Sequence, residues 1–178
     1  MNEPRFGTAG LADSYTVKKF DPAAIAAYTA GFGLTAFEYQ CGRGVRLAHD
    51  KAHALGEACA ARCIALSVHA PYYISMSSLE EDKRLHSIDY LLQCCALVKA
   101  LGGRRVIFHS GSCGKQSREE ALEKAREDVA IQQKEQIGDA KITAQKETVE
   151  VRDRVLYYRV DVECEENIGV ESEVFLQS

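Results

Sequence analysis

The 178-residue chain contains no tryptophan, three prolines and two methionines. It also lacks any apolar run near the roughly 18 residues that a membrane helix requires, and its N-terminus has no signal-peptide core. These absences give the expectation of a soluble, cytoplasmic protein with no membrane partner. Neither a G-x-G-x-x-G turn nor a P-loop follows any strand-like segment, which argues against a nucleotide-binding Rossmann domain. A strong excess of one charge is missing too. The net charge of -4 excludes a generally cationic nucleic-acid coat, while leaving room for a local basic patch. Seven cysteines are present, at 41, 59, 63, 94, 95, 113 and 164, but no C-x-x-C pair. An odd number with two adjacent suits neither a disulfide framework nor a zinc ribbon, and fits reduced thiols packed as small hydrophobes.

What is present is ordinary globular composition, with 46% hydrophobic and 27% charged residues, and a length suited to one domain with or without an appendage. No internal repeat or low-complexity tract occurs. The character of the chain nevertheless changes near residue 130. All five histidines, all three prolines and 11 of the 13 glycines precede that point. Residues 131–178 carry 6 basic and 11 acidic side chains, a balance of -5, against +1 for residues 1–130. The shift predicts two pieces, 1–130 and 131–178, built on different rules.

The first piece alternates strand and helix. Arg5 to Gly10 reads as a short strand. Asp21 and Pro22 then open a helix with Ile25, Tyr28 and Phe32 on one face. Strands follow at Thr35–Gln40, Ile64–His69 and Arg105–His109, separated by an Ala-rich helix over Leu47–Arg62 and by a longer one with Leu85, Ile88, Leu92, Cys95 and Val98 on its apolar face. Ser78 with Glu81, and Ser117 with Glu120, have capping-box spacing. Four such units, with strands buried on both faces, predict an α/β fold: a parallel sheet forming part of a (β/α) barrel. In the second piece Leu156, Tyr158, Val160, Val162 and Cys164 alternate with Tyr157, Arg159, Asp161 and Glu163. That is an antiparallel strand, with Thr148–Val151 as hairpin partner and a turn at Arg152–Arg154, and not a fifth barrel strand.

Polar residues gather where the strands end. Glu38, His69 and His109 each lie at or near a strand's C-terminal end, the face on which barrel enzymes place their chemistry. Two neutral imidazoles on adjacent strand ends can converge on a divalent metal, and zinc suits nitrogen ligands. Two such histidines can equally hydrogen-bond within their loops, and spacing alone favours that plainer use. His49 and His53 stand at i and i+4, but Asp50 sits where a metalloprotease helix needs Glu, so a solvated helix face is expected. Arg43, Arg46, Lys51, Arg104 and Arg105 could meet phosphates, although such a density is usual for a surface.

The motifs His69-Ala70-Pro71-Tyr72 and Phe108-His109-Ser110-Gly111-Ser112, with the opening strand at Arg5–Gly10, resemble the endonuclease IV family of zinc-dependent apurinic/apyrimidinic endonucleases. These are TIM barrels of the xylose-isomerase-like superfamily, and the resemblance covers roughly residues 4–130. Ser110 stands where the family usually has Pro. The resemblance implies a DNA-repair hydrolase of base excision repair that uses three zinc ions to cleave the phosphodiester 5′ to an abasic deoxyribose in DNA. It makes His69 and His109 metal ligands, and it places Tyr72 and Arg43 against DNA. The family's remaining ligands come from later barrel strands, whereas this chain has no histidine after 109. A barrel needs about 250 residues, so 130 supply about half of one, with an incomplete zinc set.

Residues 135–168 resemble the end of a stage IV sporulation protein family. The expectation is therefore the front half of an endonuclease IV-like barrel joined to an unrelated β-hairpin tail, whose open sheet edge invites a homo-oligomer. Two alternatives stand beside it. One is a metal-dependent sugar isomerase or epimerase of the same superfamily, with Glu38 as proton-transfer base. The other is a fusion fragment without turnover.

Overall fold

Asp21 starts the first helix as its chemistry requires. Its carboxylate accepts the Ala24 N–H at 3.0 Å, and Pro22 occupies the first helical position. The computed structural model describes residues 4–109, 111–125, 142–152, 155–164 and 170–176. Its elements run β1 (Gly7–Ala9), α1 (Pro22–Gly31), β2 (Ala36–Gln40), α2 (His49–Ala60), β3 (Ala65–His69), α3 (Glu81–Ala100) and β4 (Val106–Ile107). Next come α4, described over 118–125, and β5 (Ile142–Arg152), β6 (Val155–Cys164) and β7 (Val170–Leu176).

Strands β1 to β4 form a parallel sheet in sequential order. Sequential parallel order with a helix in each crossover is the arrangement of a (β/α) barrel wall. The register separates two faces. Phe37, Leu66, Val68, Val106 and Phe108 lie on one face, all buried beneath the helices with Ile25, Leu55, Leu91 and Val98. Burying such a side chain is worth about 2 kcal/mol, so this face holds the unit together. Glu38, Ser67, His69 and Ile107 share the opposite face and are only half-buried, and Gln40 beside them is exposed. The expectation of strands buried on both faces therefore fails on this side. A closed barrel fills its interior with side chains from strands across the axis, and this sheet has four strands.

Close approach of α2 and α3 depends on Gly56, where a Cβ would stand 2.6 Å from the Leu101 carbonyl oxygen. In α3 the apolar face is rotated from the one expected. Ser87, Ile88, Leu91, Cys94, Leu97 and Val98 are buried, whereas Leu85 and Leu92 are 52% and 38% exposed. The helix offers two overlapping apolar stripes, and contact with the sheet selects the second.

Ser78 and Glu81 form no capping box. Glu80 is the N-cap, without a side-chain cap bond, and Ser78 Oγ instead accepts the Glu80 N–H at 3.1 Å. Arg84 Nη1 donates to the Ser78 carbonyl at 2.9 Å, which holds that turn outside the helix. Ser117 and Glu120 do form their reciprocal box, at 2.9 and 3.2 Å. In α1, Ile25 faces inward as read. Phe32, by contrast, caps the C-terminus and is 64% exposed, because the helix stops at Gly31.

Strands β5, β6 and β7 make a separate antiparallel sheet. The strand at Val155–Cys164 matches its alternating pattern. Its partner is longer than expected, an eleven-residue strand paired from Arg152↔Val155 outward with a register shift between Ile142 and Ala144, and β7 makes the hairpin a three-stranded sheet. The expected turn centre at 153–154 and the expected junction near 130 lie outside the described residues. Among the described residues no helix is long and apolar enough to cross a membrane.

Candidate metal site at the strand ends

Three backbone hydrogen bonds draw the C-terminal ends of β2, β3 and β4 together. Cys41 N–H donates to the His69 carbonyl at 2.9 Å, Ala70 N–H to Ile107 O at 2.8 Å, and Tyr72 N–H to Gly42 O at 3.4 Å. Both loops that follow, 41–44 and 70–78, thus rise side by side from the same end of the sheet.

His69 is the last residue of β3 and His109 follows β4. Their rings lie 5.3 Å apart between centroids, tilted by 49°. His69 Nδ1 lies 3.0 Å from the Ala70 carbonyl oxygen. A carbonyl only accepts, so Nδ1 carries the proton and the Nε2 lone pair is left for another partner. Burial first, and the neighbouring His69 second, hold His109 below the ordinary imidazole range. Both effects favour the neutral form that binds a metal.

Two imidazoles bound to one tetrahedral ion through nitrogens at about 2.1 Å place their ring centres roughly 5 Å apart, so the pair fits two ligands of a shared zinc. It does not supply a complete set. Among the described residues no group of three or more His, Cys, Asp or Glu gathers to hold a metal ion. Glu38 occupies the same sheet face, paired in register with Ser67 one step below Gln40↔His69.

Arg43 is exposed in the loop after β2, between Gly42 and Gly44, whose φ angles are +47° and +126°. Tyr72 is 67% exposed. The bond from Tyr72 to Gly42 brings these two expected DNA-facing residues onto neighbouring loops. Arg104 and Arg105 belong to the opposite end of the sheet, just ahead of β4, and are not part of this cluster. His49 and His53 project from the exposed side of α2, where His53 Nδ1 lies 3.6 Å from Glu57. They are a solvated helix face, as their spacing led one to expect.

Sequence reasoning missed the brace beneath the site. Ser77 is fully buried, and its Oγ donates to the Ser112 carbonyl at 2.9 Å. Gln116 Nε2 donates to Ser77 O at 2.7 Å. Gly111, at φ +116°, passes so close that a Cβ would meet Ser77 Oγ at 2.8 Å. These contacts lock the loop after β3 to the loop after β4 and so set His69 and His109 relative to one another. The run Ser75, Ser77, Ser78 does not mark which serine is buried, so no local pattern pointed to it.

Residues 26–132, more than half of the chain, match the xylose isomerase-like TIM barrel family. The chain is 32% identical over 78 residues to a probable endonuclease 4 of Mycoplasma pneumoniae, a stretch amounting to 44% of this chain and 27% of that protein. It thus spans about a quarter of that relative. The fold resembles 3-keto-D-glucoside 4-epimerase (YcjR) from E. coli, with TM-score 0.56 and 10% identity over 74% of this chain and 51% of that one. Endonuclease IV from Thermus thermophilus aligns with TM-score 0.49 and 24% identity, over 72% of this chain and 47% of that one.

Proposed function

Because the chain belongs to the xylose isomerase-like TIM barrel family, we propose that it carries the front half of a zinc-dependent endonuclease site for abasic DNA, joined near residue 130 to an unrelated tail. The paired imidazoles of His69 and His109 carry this reading. The likeness to the probable endonuclease 4 supports it over the sugar-directed branches of the family. A bound zinc would polarise a phosphodiester oxygen and lower the pKa of a water.

The remaining roles fall to the chain's own groups. The Ala70 carbonyl holds the His69 tautomer with Nε2 available. Arg43 and Tyr72, on adjoining loops, are offered to DNA: the guanidinium to a phosphate, the phenol ring to a base face beside a gap in the stack. Two ligands do not make a catalytic zinc site, which normally takes three from protein. Turnover therefore requires further ligands, and a second copy of the chain is one source for them. Without them the chain is a fusion fragment that retains the pair and does no chemistry.

A second reading, metal-dependent epimerisation or isomerisation of a sugar, draws on Glu38, whose carboxylate shares the His69 face and suits proton transfer next to a carbonyl. Incubating the full chain plus zinc with a duplex bearing one abasic site separates the two. The endonuclease reading expects incision on the 5′ side, lost in His69→Ala. Ketose turnover that depends on Glu38, without incision, would favour the second reading. Silence in both assays would leave the fragment.

A further inference from the structure

The two faces of the tail sheet differ sharply in composition. In an antiparallel pair, residues directly opposite each other share a face, so the register sorts the sheet into rows. Val151, Leu156 and Leu176 form one row, and Val149, Tyr158 and Val174 the next on the same face. Val160, Val162 and Val170 extend that face through two further rows, beside Glu147, Gln145 and Ser172. Nine of these twelve positions are apolar. Besides Tyr157 and Phe175, the opposite face carries charged rows, in which Arg159 stands across from Glu173 and Lys146 across from Asp161.

A three-stranded sheet with one apolar side is stable when that side packs against another layer. The first unit is a poor cover for it. Its open sheet face carries Glu38, Ser67 and His69, and its main contact with the tail is at β7, an outer strand, beside β4. A second tail sheet matches in kind, row for row. At roughly 80 Å² of apolar surface per side chain, such a contact removes about 700 Å² per copy, close to the ~800 Å² of a standard interface. The charged rows suit the other face to water, so one partner is enough and assembly closes at two copies.

We propose that this apolar face is the interface between two copies of the chain, their tail sheets packed face to face about 10 Å apart. Tyr158 and Val160, on the central strand β6, belong to its middle rows. The same face serves both copies, as a two-fold contact requires. This pairing does not depend on which reaction, if any, the strand-end site performs.

The test uses two neighbouring tyrosines that belong to opposite faces, each replaced in the full chain by a photo-crosslinking residue. On irradiation, Tyr158→p-benzoylphenylalanine should give a covalent dimer whose crosslink joins the tail sheets of two copies, and Tyr157→p-benzoylphenylalanine should not. Sedimentation of the unmodified chain should show a dimer. Val160→Lys should raise its dissociation constant roughly tenfold or more, while Arg159→Gln, on the other face, leaves it unchanged. Val160→Thr keeps a β-branched strand former and should weaken the dimer by a smaller factor, which separates loss of the interface from loss of the strand. A monomer at about 100 μM chain, assembly beyond two copies, crosslinks from position 158 into residues 4–125, or equal dimer yield from both tyrosines would each overturn the proposal.

Discussion

The His69 and His109 rings face each other at 5.3 Å between centroids, on neighbouring strand ends, with the Ala70 carbonyl holding the Nδ1 proton of the first. Nothing local in the sequence creates this relationship. It follows from the register of β3 against β4, where His69 pairs with Ile107 and Ala70 N–H reaches Ile107 O. Buried Ser77, fastened to Ser112, then steadies the loops on which both histidines depend.

That brace predicts a separable phenotype. Ser77→Ala removes the bond from its buried hydroxyl to the Ser112 carbonyl, at a cost of about 1 kcal/mol. Urea unfolding should show a lower midpoint with an unchanged slope. Zinc affinity should fall as well, because the two imidazoles lose their mutual setting. An unchanged zinc affinity would remove the brace from this account.

The core beneath the sheet gives a sharper stability test. Leu55 is wholly buried in α2 among Ile25, Cys59 and Leu91. Leu55→Ala should cost about 3 kcal/mol through lost transfer energy and the cavity left behind, read from denaturant unfolding. A cost below about 0.5 kcal/mol would mean that this helix does not pack as described.

Cys63 is the described non-glycine residue with positive φ, at +56°, in the turn between α2 and β3. An L-residue there carries a penalty that glycine does not. Cys63→Gly should therefore raise stability by about 1 kcal/mol, seen as a higher melting temperature, whereas Cys63→Val should lower it.

The α4 cap predicts a pH dependence. Hydrogen bonds from the Ser117 backbone and hydroxyl hold the Glu120 carboxyl below the ordinary carboxylate range. A depressed folded-state pKa means that the unfolded chain binds the proton more readily. The contribution is thus fully present above the ordinary carboxylate pKa and is lost as pH falls through the depressed value. Ser117→Ala should move the Glu120 titration upward, measured by NMR, and flatten the acid limb of the stability curve.

These sites differ in how far the sequence announced them. The α1 start was legible because Asp21-Pro22 leaves the backbone few alternatives, and β2 and β3 because each is a short run set between helical segments, although their half-buried second face was not read. The face of α3 was not legible. Residues 85, 88, 92 and 95 form as good a stripe as 87, 91, 94 and 98, and only the neighbouring sheet decides between them. His69 and His109 stood out by position at strand ends, yet their tilt and tautomer depend on register and on a carbonyl no motif encodes. Ser77 and Gln116 could not be singled out, since a buried serine and an exposed one look alike until the loops around them are placed. In the tail, the hairpin strand at Val155–Cys164 was written in a strict two-residue period. Its neighbour Val170–Leu176 is shorter, with two glutamates, and gave a weaker signal.

Whether His69 and His109 act together on one metal ion is read from the zinc content per chain. The full chain should be equilibrated with zinc, passed through gel filtration, and the monodisperse peak measured by elemental mass spectrometry beside His69→Ala and His109→Ala. The wild-type peak should carry at least one zinc per chain, or per pair of chains if a second copy completes the set, and either variant should lose it. Zinc absent from the wild-type peak, or retained equally by both variants, would contradict it.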